Sequence, residues 1–237
     1  MSGRVGTLLA LVHVMRTRLL LIASAASVAA FALLARSVAR RDTVDGDNHV
    51  RDTVVANQGR LNRAVAVASG PLGKEWFHGP VALGMTGWLW RRHAGTRSML
   101  PLLASGSAEV VNRVCERTLH IRRPPPGQEN RQKPSFPSGH AIETTAVALT
   151  SGYILAREGL VTAPAAAVVA VSLAGVSGGG RLYLDRHWVS DAAGGYLLGI
   201  GIAGLCAAAY EHMRAGSDVG VKRRRAFRQR RFAGPRA

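Results

Sequence analysis

The chain has 237 residues, which is enough for one domain, and 47% of them are apolar although only 5% are aromatic. A formal net charge of +17 at neutral pH favours an anionic partner, either a nucleic acid or an anionic membrane surface. Cys115 and Cys206 lack metal-ligand spacing, which excludes a cysteine-based metal centre and indicates small buried side chains instead.

The first apolar segment, residues 19–35, is uncharged and has arginines on both sides. At roughly 1.5 Å per residue, this is the lower limit of length for a membrane-spanning helix. A cleaved signal peptide is the alternative, because the alanine-rich sequence near Ala35 could serve as a cleavage site. The basic region before the segment is long for a signal, which favours an uncleaved helix. Residues 36–63 are polar and indicate a loop outside the membrane, with room for a short surface helix.

Five further apolar segments follow, at residues 76–90, 98–115, 141–156, 160–176 and 192–210. The 98–115 segment is the weakest, since it contains Glu109 and Arg113. Their four-residue spacing predicts a pair on one helix face, which either faces the bundle or supports a polar site. Small residues let membrane helices approach closely, so the glycines of the last segment predict tight packing. These are Gly194, Gly195, Gly199, Gly201 and Gly204.

The charges between the segments predict the orientation of the chain in the membrane. Six spans would place both termini on one side, and the loop at residues 91–97 and the tail at residues 222–236 are both rich in basic residues. The positive-inside rule puts these two regions in the cytoplasm. The loops at residues 123–140 and 178–187 are then expected together on the external face.

Two polar blocks at the edges of apolar segments predict chemistry on a phosphate ester. In the second block, Asp191 follows His187 by four residues, which suits a nucleophile and its orienting partner. In the first block, His140 follows Ser138 and Gly139 and can act as an acid and a base. Ser138 is a natural N-cap for the helix that follows, Gly139 permits a close approach, and helix N-termini bind anions.

Two arginines complete the candidate site. Arg123 and Arg181 can each offer paired donors to phosphate oxygens. Together with Arg123-Pro124, the two blocks resemble the three signatures of the type 2 phosphatidic acid phosphatase family, which is related to vanadium-dependent haloperoxidases. The resemblance covers roughly residues 60–210 and implies an all-α integral membrane bundle of about six transmembrane helices.

The resemblance also implies a mechanism that uses no metal and no other cofactor. His187 attacks phosphorus and forms a phosphohistidine, while Asp191 fixes the tautomer of its ring. His140 protonates the leaving oxygen and then activates water. The chain is accordingly divided into residues 1–59 with the first helix and the polar loop, residues 60–212 as the catalytic domain, and residues 213–237 as a basic cytoplasmic tail.

The third signature and the first each contain one departure. Glu116 stands where the family has a lysine, and Gly180 stands where it has a serine. A carboxylate at position 116 would oppose phosphate binding, so Glu116 is expected to turn away and Arg117 to bind the phosphate instead. Arg122 is the alternative replacement for the lysine.

The remaining polar residues are given no catalytic role. Glu143, one turn after His140, is expected to be a cap-region acid, with tuning of the His140 pKa as the alternative. No function is assigned to His13, His49, His78, His93, His120 and His212.

The sequence therefore predicts metal-independent hydrolysis of a lipid phosphate monoester or a lipid diphosphate at the membrane surface. By resemblance, the candidate substrates are phosphatidic acid, phosphatidylglycerol phosphate and polyprenyl diphosphate. A vanadium-dependent haloperoxidase and a non-catalytic lipid-phosphate-binding protein are the alternatives. The expected location is the inner membrane, with the site on the external or periplasmic face, membrane lipids as partners and no nucleic acid.

Overall fold

The computed structural model describes residues 2–92, 95–119, 121 and 134–232, and the side chains of residues 11–92, 95–119, 121 and 134–216. The regular structure in these ranges is entirely helical, which confirms the all-α fold class. The α-helices are α1 Ser2–Ala39, α2 Val44–Ala56, α3 Arg60–Ala68, α4 Glu75–Arg91, α5 Leu100–Thr118, α6 Gly139–Arg157, α7 Ala163–Tyr183 and α8 Val189–Phe232. Short 3-10 turns at Gly70–Gly73 and Gly95–Met99 precede α4 and α5.

Each of the six apolar segments overlaps a helix, namely α1 or one of α4 to α8. Among the described residues, three helical stretches are long and apolar enough to cross a membrane: Leu11–Ala39, Ala163–Tyr183 and Val189–Gly216. The helices α4, α5 and α6 are 17 to 19 residues long and carry polar side chains such as Glu109 and Glu143. Length and composition therefore confirm three of the six predicted spans, and the other three remain expected spans.

Helix α8 packs closely against α6 and α1 through its glycines. A Cβ atom added at Gly195 would lie 2.6 Å from the carbonyl oxygen of Ser138 in front of α6. On the other side, a Cβ atom at Gly204 would lie 3.0 Å from the Cβ atom of Ser24 in α1. The Ser24 hydroxyl also donates to the carbonyl oxygen of Gly201 at 2.7 Å. The prediction of tight packing through small residues is confirmed.

The bundle has two chemically different ends. At one end, Glu211 of α8 accepts hydrogen bonds from His13 of α1 and Arg157 of α6. Arg97, in the basic loop before α5, lies 3.8 Å from Glu158 at this same end. The two polar blocks lie at the opposite end, because α6 and α8 begin there and α7 ends there.

The polar stretch after α1 folds into the two short helices α2 and α3. The predicted short helix is therefore present, and α2 also packs into the bundle instead of lying only on its surface. Its Asp47 is only 2% exposed and contacts the start of α8. This contact brings α2 to the end of the bundle where the polar blocks meet.

Candidate active site

His187 and Asp191 form a buried pair at the start of α8. His187 is 6% exposed and precedes the helix, whereas Asp191 lies in its first turn and is 0% exposed. The Nδ1 atom of His187 lies 3.3 Å from Oδ2 of Asp191. A carboxylate at Nδ1 fixes the ring tautomer and leaves Nε2 as the nitrogen for chemistry.

Asp191 also joins the two polar blocks. Its Oδ2 accepts a hydrogen bond from the backbone N–H of Trp188 at 3.0 Å, the contact that a capping-box acid makes. Its backbone carbonyl accepts a hydrogen bond from the N–H of Ser138 at 2.9 Å. Asp191 therefore orients His187, caps α8 and ties the start of α6 to the start of α8.

Helix α2 holds the same segment from the other side. Asp47 accepts two hydrogen bonds from Ser190, from its backbone N–H at 2.9 Å and from its hydroxyl at 2.8 Å. Arg51 donates to both carboxylate oxygens of Asp185, at 2.8 and 2.9 Å. Asp185 has a φ of 51°, which few residues other than glycine adopt. These two contacts fix the backbone on both sides of His187.

The start of α6 presents an incompletely bonded helix N-terminus. Ser138 occupies the N-cap position as predicted, but its hydroxyl makes no cap hydrogen bond. Among the described residues, this buried hydroxyl has no hydrogen-bond partner. A Cβ atom at Gly139 would lie 2.9 Å from Nδ2 of Asn112, so any side chain at this position would push Asn112 aside. A buried donor without a partner at a helix N-terminus suits an anion.

The surroundings of His140 favour its neutral form, which can act as a base. One ring nitrogen hydrogen-bonds to the backbone of Gly70, and Nε2 has no partner in the described part of the chain. Burial, followed by the charges of Arg181 and Lys74, lowers the pKa of His140 to about 3. The imidazole is therefore neutral near pH 7, with Nε2 able to accept a proton.

Both polar blocks line one cavity of about 790 Å³. Gly139 and His140 come from α6, Arg181 from the last turn of α7, and His187 from the loop before α8. Arg181 is only 7% exposed, so its guanidinium is held within the protein at the cavity wall. The remaining lining residues are Gly73, Lys74, Glu75, Trp76, Asn112, Glu116, Glu143 and Arg186.

The structure differs from the expectation that Glu116 turns away from the site and Arg117 faces it. Glu116 lines the cavity, whereas Arg117 is exposed and lies outside the cavity lining. Asn112 lies one turn before Glu116 on the same helix face, and its Nδ2 donates to Glu116 at 3.4 Å. A step of one residue rotates the side chain by roughly 100° around an α-helix, which carries Arg117 off this face. The predicted phosphate contacts of Arg123 and Arg122 lie outside the described residues.

A buried cluster that the sequence did not predict supports the α6 wall. The Nε2 atom of His78 lies 2.7 Å from Oε2 of Glu143, and its Nδ1 lies 2.8 Å from the Ser105 hydroxyl. Glu109, which pairs with Arg113 as predicted, lies beside Glu143. The cluster joins α4, α5 and α6 one turn below the first polar block, and Glu143 is therefore not a cap-region acid.

An apolar groove of about 300 Å³ borders the polar cavity. Leu72 lines the groove, and the next residue, Gly73, lines the cavity. In the same way, His78 lines the groove and its hydrogen-bond partner Glu143 lines the cavity. Most of the groove is formed by apolar side chains of α4, α6 and α7, such as Phe77, Val147 and Val169. The cavity therefore suits a phosphate group, and the neighbouring groove suits an apolar chain.

Comparison with known proteins agrees with this arrangement. The chain has the fold of the crystal structure of the first transmembrane PAP2 type phosphatidylglycerolphosphate phosphatase from Bacillus subtilis. The TM-score is 0.70 at 22% sequence identity, and the match covers 77% of this chain and 93% of that chain. No curated protein matches the chain. The family model of the PAP2 superfamily matches residues 102–214, which contain both polar blocks, so the resemblance inferred from the motifs is confirmed over this region.

Proposed function

We propose that the protein hydrolyses a lipid phosphate monoester or a lipid diphosphate through a phosphohistidine on His187, without a metal ion. One observation carries the proposal: His187, His140 and Arg181 line a single polar cavity, and an apolar groove borders it. The cavity suits the phosphate, and the groove suits the apolar part of a lipid. The PAP2 superfamily match supports phosphatase chemistry.

In the first step, Nε2 of His187 attacks phosphorus and the bond between phosphorus and the lipid oxygen breaks. Protonated His140 donates its proton to that oxygen, so a monoester releases the lipid as an alcohol and a diphosphate releases it as a lipid monophosphate. Asp191 accepts the Nδ1 hydrogen of His187 and stabilises the positive ring. Arg181 and the N-terminus of α6 bind the phosphoryl oxygens. A bound phosphate dianion offsets the positive charges around His140 and thereby raises its pKa, which allows the imidazole to be protonated.

In the second step, neutral His140 removes a proton from water as the water oxygen attacks the phosphorus atom. The phosphorus–nitrogen bond breaks and inorganic phosphate leaves, so His187 is again neutral. His140 ends this step protonated, returns to the neutral state when phosphate leaves, and is protonated again when the next bound phosphate group raises its pKa. The low pKa that burial imposes on His140 suits this second step, because the imidazole stays neutral after it has given its proton to the leaving group and can then accept one from water.

Phosphate release from a lipid panel tests the proposal. The purified protein in detergent should release phosphate from at least one of phosphatidic acid, phosphatidylglycerol phosphate and a polyprenyl diphosphate, and EDTA should not slow the release. Activity that EDTA abolishes would contradict the metal-independent mechanism. Failure to release phosphate, combined with bromide oxidation in the presence of vanadate and peroxide, would favour the related haloperoxidase chemistry.

The proposal places the cavity on the external face of the cell membrane. The support is that the basic loop containing Arg97 lies at the opposite end of the bundle from His187. A cysteine introduced at Gly179 should react with an impermeant thiol reagent in intact cells, and one at Gly220 should not. The two native cysteines are buried, which keeps the background low. The reverse labelling pattern would place the cavity in the cytoplasm.

A further inference from the structure

We propose that Lys74 supplies the phosphate-binding positive charge that the family signature places at position 116, where this chain has Glu116. The inference rests on the proposed function and extends it to a residue outside the three signatures. Lys74 also lies outside the 102–214 region that the family model matches. It comes instead from the N-cap of α4, directly after the 3-10 turn Gly70–Gly73.

The turn brings Lys74 to the catalytic block. A Cβ atom at Gly73 would lie 2.5 Å from the Cα and Cβ atoms of His140, so the backbone next to Lys74 is in direct contact with this histidine. Lys74 lines the same cavity as His140, Arg181 and His187. Its charge also acts on His140, since it contributes to the low pKa of that ring. A cation at this place would lie close to a phosphate held between the two histidines.

The acids around the cavity already have partners, and Lys74 does not. Glu75 lies 3.8 Å from Arg113, Glu143 bonds to His78, and Glu116 accepts from Asn112. Within the described part of the chain, Lys74 forms no ion pair or side-chain hydrogen bond. A cation without a protein partner in a polar cavity is available to an anionic ligand.

The second departure from the signatures concerns the same turn. A Cβ atom at Gly180 would lie 2.3 Å from the hydroxyl oxygen of Ser69, the residue before the turn. That hydroxyl is buried and donates to the carbonyl of Ala66 at 2.8 Å. A serine at position 180 would therefore displace Ser69. From the α6 side, the Thr144 hydroxyl donates to the carbonyl of Leu72 at 3.1 Å. Glycine at position 180 thus permits the close docking of the turn that carries Lys74.

Moving the positive charge from position 74 to position 116 tests the inference directly, with two readouts. The readouts are kcat/KM for a lipid phosphate that the wild-type protein hydrolyses and the inhibition constant of inorganic phosphate. Lys74→Met should lower kcat/KM about 30-fold and weaken inhibition by phosphate at least several-fold, because one charge-assisted contact is lost. Lys74→Arg should keep most of the activity. The double variant Lys74→Met with Glu116→Lys should regain at least about tenfold, because it restores a cation at the signature position.

Two control variants separate a specific contact from a general loss of positive charge. Arg63→Met, on the exposed face of α3, and Arg117→Met, outside the cavity, should leave both readouts within twofold. If Lys74→Met also stays within twofold, or if Glu116→Lys gives no recovery, the inference is overturned. If the wild-type protein hydrolyses no lipid in the panel, the proposed function fails. Titration with inorganic phosphate then still tests Lys74, since Lys74→Met should weaken that binding and unchanged binding would contradict its role.

Discussion

Two pairs of histidine and carboxylate stand at opposite ends of the bundle, and the polar cavity lies at the pair of His187 and Asp191. At the end with the polar blocks, His187 lies 3.3 Å from Asp191. At the other end, His13 lies 2.8 Å from Glu211. Both carboxylates are 0% exposed, so burial alone does not distinguish a catalytic pair from a structural pair.

The difference lies in what completes the hydrogen bonding. Glu211 accepts from Tyr153 at 2.8 Å and from Arg157 as well as from His13, so its oxygens are satisfied within the protein. Near His187, by contrast, buried polar atoms have no partner among the described residues, namely the Ser138 hydroxyl and Nε2 of His140. Unpaired buried polar groups cost stability. Their presence beside a large polar cavity indicates a site that a ligand completes, whereas the Glu211 cluster stabilises the bundle.

The largest expected effect is the loss of the nucleophile. His187→Ala should reduce phosphate release by at least about ten-thousand-fold, as removal of a catalytic nucleophile does in other hydrolases. The thermal unfolding midpoint in detergent should stay close to that of the wild-type protein. Phosphate release that survives this substitution would remove the distinction between the two pairs.

Loss of the orienting carboxylate should come next. Asp191→Asn should lower kcat by about a thousand-fold or more, because the amide no longer favours the productive tautomer or the charged ring. The variant also retains an oxygen that can accept from Trp188, so the cap of α8 is kept. A decrease of less than tenfold would show that Asp191 serves mainly as a helix cap.

Substitution of Asp47 should have a smaller effect on kcat, because Asp47 only helps to hold His187 in place. Asp47→Ala removes both contacts to Ser190 and should lower kcat about tenfold with little change in KM, because it loosens the backbone that holds His187. Asp47→Asn should recover part of the loss. Asp52→Ala, at an exposed acid on the same helix, is the matched control. A lower unfolding midpoint with unchanged kcat would indicate a structural role alone.

The Glu211 cluster should affect stability and leave the chemistry intact. Glu211→Ala should lower the free energy of unfolding by about 2 kcal/mol, which is less than for a fully buried pair because Arg157 and His13 reach solvent. The kcat of the folded protein should stay within twofold. A specific loss of kcat would show that this end of the bundle also takes part in the reaction.

The sequence predicts the reactive residues of the site better than the residues that hold them in place. His187 and Asp191 are one helical turn apart, and the Ser138 to His140 block is contiguous, so local spacing reveals them. The residues that hold the site in place make contacts between distant parts of the sequence. Asp47 lies 143 residues from Ser190, and His78 lies 65 residues from Glu143. No local pattern signals such contacts.

Position 116 shows a different limit of the sequence. The sequence indicates that a cation is needed near the phosphate, because Glu116 cannot supply one. It does not reveal whether that cation comes from the next residue of α5 or from a turn in another part of the chain. The rotation of the helix takes Arg117 away from the cavity, and the docking of the Gly70–Gly73 turn brings Lys74 to it. Both depend on tertiary packing.

The most direct test of the central claim is to trap the covalent intermediate. The protein would be mixed with a lipid phosphate that it hydrolyses, carrying a radiolabelled phosphoryl group, and quenched rapidly in alkali, in which phosphohistidine survives. We expect an acid-labile label on the peptide that contains His187, formed before phosphate release and absent from His187→Ala. A label on another residue, or rapid turnover in which no protein-bound label forms, would contradict it.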